Sequence, residues 1–156
     1  MNEPGDATQR RLDVLMVDDD HDDQAVFGIA AEKAKLGIWL HTASSAEQAI
    51  DYLEGTGIFA DRASYPLPDV LVLDLKMPEM GGIGFLAWRN ASRAFAMLPV
   101  MILSGLTDRR EIERALALGV NEYLTKPPDL EGWKEVARAV WDFGIRHPWP
   151  RRGIPK

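Results

Sequence analysis

The sequence predicts an α/β fold in which five parallel strands form a doubly wound sheet with helices on both faces. Two observations carry this prediction. Short apolar runs alternate with stretches of helical periodicity, and three of these runs are apolar almost throughout. Strands that are covered by helices on both faces have this composition. Because crossovers between parallel strands are right-handed, the strand order 2-1-3-4-5 is favoured.

The strand and helix candidates follow one another along the chain. The strands are predicted at Val14–Val17, Ile38–Thr42, Val70–Leu73, Val100–Leu103 and Glu122–Leu124. The helices are predicted at Asp22–Lys35, Ala46–Glu54, Ile83–Asn90, Arg109–Leu118 and Leu130–Phe143. The second helix illustrates the periodicity, since its apolar residues recur every three or four positions after a serine cap at Ser44 or Ser45.

The chain of 156 residues is long enough for one domain with a full hydrophobic core. We expect a flexible polar tail at residues 1–11, one domain at residues 12–143, and a Pro-rich basic tail at residues 144–156 that does not continue the last helix. The loop at residues 55–68 is longer than such a unit needs. The last tail is too short for a DNA-binding helix-turn-helix.

Composition excludes several kinds of chemistry. The formal net charge of −6 argues against a nucleic-acid-binding surface, which needs a clustered basic face. The chain has no cysteine, so disulfides, thiolate metal sites and cysteine nucleophiles are excluded. Its apolar runs are too short to span a membrane, and the N-terminus lacks a signal core. We therefore expect a cytoplasmic protein that binds neither nucleic acid nor membrane.

Five polar residues lie at the carboxyl ends of four predicted strands. They are Asp18 and Asp19, Asp74, Ser104, and Lys126, after the first, third, fourth and fifth strands. Ligands of an open parallel sheet bind at this edge, so these side chains should converge. Three converging carboxylates repel one another, and magnesium is a suitable counter-ion. With a hydroxyl and an ammonium group opposite the metal, the set could clamp a phosphoryl group, and an aspartate could be the covalent nucleophile.

Four segments, in this order and at this spacing, resemble the receiver domains of bacterial two-component response regulators. They are LMVDDD (15–20), LVLDLKMPEMGG (71–82), VMILSG (100–105) and NEYLTKPP (121–128). The resemblance covers about residues 12–143 and implies the flavodoxin-like receiver fold. It also implies a response regulator, which is a signalling module rather than an enzyme. Because the tail after residue 143 is too short for an output domain, we expect a stand-alone regulator. A sensor histidine kinase would phosphorylate it, and the signal would pass to a target protein or a histidine phosphotransfer protein.

The resemblance implies a role for each residue of the site. The phosphoryl-binding residues are Asp74, which is the phosphoacceptor, and Ser104 and Lys126, which contact the phosphoryl group. The ligands of the metal, Mg²⁺ or Mn²⁺, are Asp19 directly, Asp18 mostly through water, Asp74, and the backbone carbonyl of Lys76.

The resemblance also implies how the site works as a switch. Ser104 moves toward the phosphoryl group, and the aromatic switch residue Tyr123 changes rotamer with it. The peptide between Lys126 and Pro127 is usually cis in this family, and Gly82 permits the turn into the third helix.

Several of these residues also have an ordinary structural explanation. Asp20, Asp22 and Asp23 are interpreted as solvated acidic residues at a helix start, where they are mildly favourable. Tyr123 can be a packing residue of a short edge strand, and Ser104 a generic hydroxyl at a strand end.

Two departures from the family pattern carry expectations of their own. Pro128 stands where the family usually has an aromatic residue, which bears on how the last helix begins. Lys76 and Leu106 lie two residues beyond Asp74 and Ser104, where they flank the path of hydrolytic water. A long lysine and a bulky leucine could shield the acyl phosphate, so we expect slow self-dephosphorylation.

A sub-family is also indicated. The long loop at residues 55–68, the LDLKMP segment and the aromatic C-terminal extension resemble single-domain regulators of phytochrome-type and related sensor kinases. Several of those regulators form homodimers through the last helices, so a homodimer is expected here. Trp141 and Trp149 are candidates for the association surface.

Three other classes of protein remain open. A haloacid dehalogenase-type phosphohydrolase uses an aspartyl nucleophile, but it needs a second aspartate two residues later, where this chain has Lys76. A pseudo-receiver would keep the fold without being phosphorylated, and the complete set of five site residues argues against it. A flavodoxin-like cofactor binder needs a hydroxyl-rich phosphate loop, whereas the Asp18–Asp20 run would repel phosphate.

Overall fold

A computed structural model of the chain describes residues 10–105 and 108–151. The strands of its sheet are β1 (Leu12–Val17), β2 (Ile38–Ala43), β3 (Val70–Leu73), β4 (Val100–Ser104) and β5 (Glu122–Thr125). The helices are α1 (His21–Lys33), α2 (Ala46–Glu54), α3 (Gly81–Ala91), α4 (Arg109–Ala117) and α5 (Leu130–Arg146), with a 3₁₀ helix at Gly57–Ala60. The strand order is β2-β1-β3-β4-β5, and all neighbouring strands are parallel. The predicted fold class and strand order are confirmed.

The predicted and observed elements differ mainly at their ends, for local reasons. Helix α1 begins at His21 because the side chain of Asp20 caps it, accepting the backbone N–H groups of the next two aspartates. The same helix ends at Lys33 rather than Lys35, because Lys35 adopts a left-handed backbone conformation with a φ of 59°.

The sheet separates two hydrophobic cores. Each central strand sends alternate side chains to the two faces, so Leu15 and Leu71 pack with α2 and α3, whereas Met16 and Val72 pack with α1 and α5. All four of these side chains are buried. This packing on both sides holds the central strands in register and fixes the places where they end.

The last helix continues three residues beyond its predicted end. The prediction that residues 144–156 do not continue the helix was wrong for residues 144–146, because Gly144 is a packing residue of α5 and not a helix terminator. A Cβ atom at this position would lie 2.8 Å from Leu12 Cδ1, so the missing side chain lets α5 pack closely against β1.

The segment after α5 folds back onto the amino-terminal edge of the sheet. Trp149 is only 7% exposed, its ring contacts Phe95, and its Nε1–H donates to the carbonyl of Pro68 at 3.0 Å. The interpretation of Trp149 as part of an association surface was therefore wrong, because packing within the chain buries it. Trp141, the other residue in that prediction, is partly buried against the core that contains α1.

The long loop at residues 55–68 is held by Arg62. Its guanidinium group donates to the carbonyls of Tyr52 at 2.8 Å, Leu53 at 2.7 Å and Tyr65 at 3.1 Å, and so caps the carboxyl end of α2. The ring of Phe59 packs on Tyr52 and edge-on to Tyr65. The loop is thereby attached to α2 by both hydrogen bonds and aromatic contacts.

None of the helices within residues 10–105 and 108–151 is both long enough and apolar enough to cross a membrane.

Candidate functional site

The end of β1 places one carboxylate inside the protein and the next one outside. The backbone N–H of Asp18 continues the sheet by donating to Ala43 at 3.0 Å, and its side chain is 1% exposed. Asp18 Oδ1 accepts the backbone N–H of Asp20 at 2.9 Å. The next residue, Asp19, is exposed.

Asp74 directly follows β3 and is held beside the end of β1. Its backbone N–H donates to the carbonyl of Val17 at 2.9 Å, and its side chain is buried. Its Oδ1 atom accepts the backbone N–H of Lys76 at 3.2 Å, while Lys76 itself is exposed. At Gly82 a Cβ atom would lie 2.8 Å from the carbonyl oxygen of Asp74, so the close approach of α3 to this turn requires glycine.

Lys126 is shared by three carboxylates. Its Nζ lies 2.9 Å from Asp18 Oδ2, 2.6 Å from Asp23 Oδ2 and 3.3 Å from Asp74 Oδ2. Burial lowers the pKa of Lys126, but the three neighbouring carboxylates outweigh burial and hold this pKa above its usual value. The amine is therefore an ammonium group at neutral pH, and it stays charged while its partners are ionised.

Burial raises the pKa of Asp18 to about 6, and the charge of Asp74 adds to the effect. The backbone N–H of Asp20 and the ammonium group of Lys126 act in the opposite direction, lowering this pKa. Asp18 Oδ2 is buried and forms the ion pair with Lys126, but it accepts no hydrogen bond of normal geometry. The negative charge at this oxygen is thus only partly neutralised by the protein.

The three carboxylates of Asp18, Asp19 and Asp74 can face a common point. Each offers one oxygen, and these oxygens lie within 4.8 Å of one another. Together with the partly neutralised oxygen of Asp18, this cluster fits a divalent cation that prefers oxygen ligands, as Mg²⁺ and Mn²⁺ do.

Ser104 and Tyr123 lie on the other side of Asp74. Ser104 ends β4, is fully buried, and accepts the backbone N–H of Lys126 at its carbonyl, with an N–O distance of 3.1 Å. Tyr123, on the neighbouring strand β5, is hydrogen-bonded through its hydroxyl to the side chain of Ser104. Burial raises the pKa of Tyr123, the hydrogen bond with Ser104 opposes the rise, and Asp74 adds to it.

The predicted site residues open onto one cavity at the carboxyl edge of the sheet. Its lining includes Asp19, Asp74, Lys76, Ser104 and Lys126. Asp18 contacts Lys126 and Tyr123 contacts Ser104, so the structure brings all the predicted side chains of the site into one region. Leu106 lies outside the described residues.

The structure tests two expectations about the residues that follow Lys126, namely the peptide to Pro127 and the effect of Pro128 on the last helix. The peptide between Lys126 and Pro127 is trans, so the expectation of a cis peptide was wrong. Pro128 is exposed and does not disturb the start of α5, because the side chain of Asp129 caps this helix by accepting the backbone N–H of Gly132 at 2.9 Å.

Asp23 is a residue of the site that sequence reasoning missed. It was interpreted as a solvated acidic residue at the start of α1, but its carboxylate contacts Lys126. The signal that could have identified it is its spacing, since it lies four residues after Asp19. A residue one turn into α1 can face the same strand ends as the residues that precede the helix.

Comparison with known proteins identifies the class to which this fold and site belong. The family model of the response regulator receiver domain matches residues 14–138. The chain therefore belongs to the response regulator receiver domain family, and it is a receiver domain of two-component signalling. A relative in sequence is the transcriptional regulatory protein KdpE of Mycobacterium tuberculosis, 36% identical over 93 residues. That match covers 60% of this chain and 39% of the length of KdpE.

Two solved structures are similar over most of the chain. The phosphorylated cyanobacterial phytochrome response regulator RcpA is 23% identical, with a TM-score of 0.79 over 90% of this chain and 99% of RcpA. The response regulator RPA3017 in red light signalling of R. palustris is 30% identical, with a TM-score of 0.79 over 89% of this chain and 99% of RPA3017. A third solved structure, the bacteriophytochrome response regulator AtBRR, is 26% identical, with a TM-score of 0.71 over 93% of this chain and 99% of AtBRR, and it supports the resemblance to phytochrome-associated regulators.

Proposed function

We propose that this receiver domain is a phosphorylation switch in which Asp74 accepts a phosphoryl group from the phosphohistidine of a sensor kinase. The observation that carries the proposal is the position of Asp74. Its carboxylate belongs to a group of three whose oxygens lie within 4.8 Å of one another, and its Oδ2 atom lies 3.3 Å from the Lys126 ammonium group. Such a mixture of carboxylates and a cation, open to a cavity, suits phosphoryl transfer.

The metal proposed for this site is Mg²⁺, with Mn²⁺ as a substitute. Asp18, Asp19 and Asp74 would hold it, and the backbone carbonyl of Lys76 is a further candidate ligand. When bound, the metal would supply the positive charge that offsets the phosphoryl oxygens. The carboxylate oxygens that would bind it are already gathered by the ends of β1 and β3, so binding requires little rearrangement of the chain.

In the transfer step an oxygen of Asp74 forms a bond to phosphorus while the bond between phosphorus and the histidine nitrogen breaks. The leaving nitrogen keeps the electron pair. The ring departs as neutral imidazole if its other nitrogen already carries a proton, and it takes a proton from water if it does not. Lys126 can donate to the phosphoryl oxygens from its position beside Asp74. The hydroxyl of Ser104, at the end of the neighbouring strand, can do the same.

The switch would follow from an exchange of hydrogen bonds at Ser104. In the structure Ser104 is bonded to the hydroxyl of Tyr123. If Ser104 turns to the phosphoryl group, Tyr123 loses this partner and has to take up another position on β5. A protein partner or a histidine phosphotransfer protein would recognise the change by binding to the surface around Tyr123.

The partners of this chain are also part of the proposal. The structural neighbours from phytochrome and red light signalling support a phytochrome-type sensor kinase as the phosphoryl donor. We propose that the chain acts as a stand-alone cytoplasmic regulator without its own enzymatic output, and that it forms a homodimer through its last helices. Direct binding to nucleic acid or membrane is not part of the proposed function.

The test is phosphorylation of the purified protein by acetyl phosphate. With Mg²⁺ the intact mass should rise by one phosphoryl group, and the rise should disappear with EDTA or in Asp74→Asn. An unchanged mass of the wild-type protein, together with no ¹⁹F NMR signal from bound beryllofluoride, would indicate a pseudo-receiver. Turnover of small phosphate esters would instead indicate a phosphohydrolase of the haloacid dehalogenase type.

The expected slow self-dephosphorylation is tested on the phosphorylated protein. Lys76 is exposed and lines the cavity two residues from the phosphoacceptor, where it can shield the acyl phosphate from water. Lys76→Asn should therefore shorten the lifetime of the phosphorylated state, measured as the decay of the phosphorylated mass after the donor is removed. An unchanged lifetime would remove Lys76 from this role.

A further inference from the structure

The carboxylate of Asp23 is not used to cap α1. The cap is Asp20, whose Oδ1 atom accepts the backbone N–H of Asp22 at 2.9 Å and of Asp23 at 3.2 Å. The side chain of Asp23 instead reaches Lys126 Nζ at 2.6 Å, the shortest of the three carboxylate contacts of that ammonium group. It is about as shielded as its partner, with 22% of the Asp23 side chain and 17% of the Lys126 side chain exposed.

Asp23 differs from the other two partners of Lys126 in what it can bind. Asp18 and Asp74 both belong to the group of carboxylates that can share a metal ion, whereas Asp23 does not. A metal at that group would compete with Lys126 for the oxygens of Asp18 and Asp74. Asp23 is then the partner that can keep the ammonium group beside the site.

We propose that Asp23 is a positioning residue that holds the Lys126 ammonium group in the unphosphorylated state and competes for it with the phosphoryl group. The inference rests on the proposed function, in which Lys126 contacts the phosphoryl group on Asp74. A phosphoryl group on Asp74 would have to share the ammonium group with Asp23, so the charge-assisted contact between Asp23 and Lys126 favours the unphosphorylated state.

The competition has opposite consequences for the two ligands of the site. Without the Asp23 carboxylate, Lys126 is free to pair with a phosphoryl group, so an analogue of that group should bind more tightly. Without the Asp23 carboxylate, Lys126 also stays closer to Asp18 and Asp74, where its positive charge repels a bound metal ion. The negative charge of Asp23, which attracts the metal ion, is lost as well. The affinity for Mg²⁺ should therefore fall.

The experiment compares Asp23→Asn with Asp22→Asn. Asp22 is exposed on the same turn of α1, so its replacement removes the same formal charge without removing a contact of Lys126. Mg²⁺ affinity is measured by calorimetry, and beryllofluoride affinity by ¹⁹F NMR at saturating Mg²⁺. From the value of a partly shielded ion pair we expect Asp23→Asn to bind beryllofluoride roughly fivefold more tightly and Mg²⁺ roughly fivefold more weakly.

Two further variants test whether the effect runs through the lysine. Asp23→Glu, which keeps the charge, should return both affinities toward those of the wild type. In a Lys126→Ala background the replacement Asp23→Asn should no longer strengthen beryllofluoride binding, because the competing group is absent.

The outcomes distinguish this inference from the proposed function. If Asp23→Asn and Asp22→Asn give the same affinities, or if both affinities of Asp23→Asn fall together, the competition at Lys126 is overturned while the phosphoacceptor role of Asp74 stands. If the wild-type protein binds no beryllofluoride at saturating Mg²⁺, the proposed function fails and this inference fails with it.

Discussion

The carboxyl and amino edges of the sheet differ in how their charged and polar groups are paired. At the carboxyl edge, the carboxylates of Asp18, Asp23 and Asp74 share the ammonium group of Lys126. At the amino edge, the polar groups of the loop and of the returning chain are paired, as in the bonds of Arg62 to three carbonyls and of Trp149 to Pro68. The difference indicates that the carboxyl edge keeps an excess of negative charge, whereas polar contacts at the amino edge hold the loop and the returning chain to the fold.

The amino edge should be the more sensitive to loss of side chains. Trp149→Ala removes a ring that is packed against Phe95 and leaves a cavity, so we expect a loss of about 3 to 4 kcal/mol in the free energy of unfolding. The measurement is urea denaturation followed by circular dichroism. Trp39→Ala is the control, because Trp39 is 55% exposed and should cost about 1 kcal/mol or less. Equal losses would contradict the role given to Trp149.

The guanidinium group of Arg62 is the second support of this edge. Arg62→Met keeps most of the apolar length but removes three hydrogen bonds to carbonyls, and we expect a loss of about 2 kcal/mol in the free energy of unfolding. Limited proteolysis should also become faster within residues 55–68. Arg138→Met, which removes an exposed pair with Glu135 on α5, should change neither measurement appreciably.

At the carboxyl edge, replacing a charged side chain should increase the free energy of unfolding instead of decreasing it. The pKa of Asp18 is raised to about 6, so its ionised form destabilises the metal-free fold at neutral pH. Asp18→Asn should therefore increase the free energy of unfolding at about pH 7 by about 1 to 2 kcal/mol without metal.

The controls for Asp18→Asn are the dependence of its stability on pH and on added Mg²⁺. The advantage of Asp18→Asn should shrink as the pH is lowered toward about 4, because the folded wild-type protein then gains a proton on Asp18 before the unfolded chain does. Added Mg²⁺ should stabilise the wild-type protein more than the variant. A variant that is less stable than the wild type without metal at neutral pH would contradict the contrast between the two edges.

The smallest effect is expected at Asp13, on the amino edge. Burial raises the pKa of Asp13, but the hydrogen bonds from His41 and Arg11 outweigh burial and hold it below 3.8. The ionised Asp13 carboxylate therefore contributes to the free energy of unfolding at neutral pH, and this contribution is lost as the pH falls below 3.8. Asp13→Asn should cost about 1 kcal/mol at about pH 7 and nothing at about pH 2, measured by urea denaturation at both. A loss that persists in acid would show that packing, not charge, is responsible.

The elements that the sequence predicted best are those whose signals are local. β3 and α2 have the bounds that their apolar patterns predict, since an all-apolar run and a capped helical period need no knowledge of distant residues. The end of α5 was missed because Gly144 is explained only by its contact with Leu12, on a strand far away in the sequence. Close packing of this kind cannot be read from a helical period.

Prediction of the site residues from the sequence was limited in the same way. The rule for strand ends was enough to predict that Asp18, Asp74 and Lys126 lie together, because that follows from the order of the strands. The rule does not say which carboxylates a long lysine side chain reaches, and so it missed Asp23. That choice depends on side-chain directions on the first turn of α1, which only the folded chain specifies.

The positions of the tryptophans decide what an optical experiment on this protein can detect. The described residues that line the cavity at the carboxyl edge include no tryptophan, whereas Trp149 lies at the amino edge and Trp39 on the edge strand β2. Tyr123, which is hydrogen-bonded to Ser104, is an aromatic chromophore close to Asp74. A change in indole emission when the cavity is filled would therefore mean that a disturbance has travelled through the sheet to a distant chromophore.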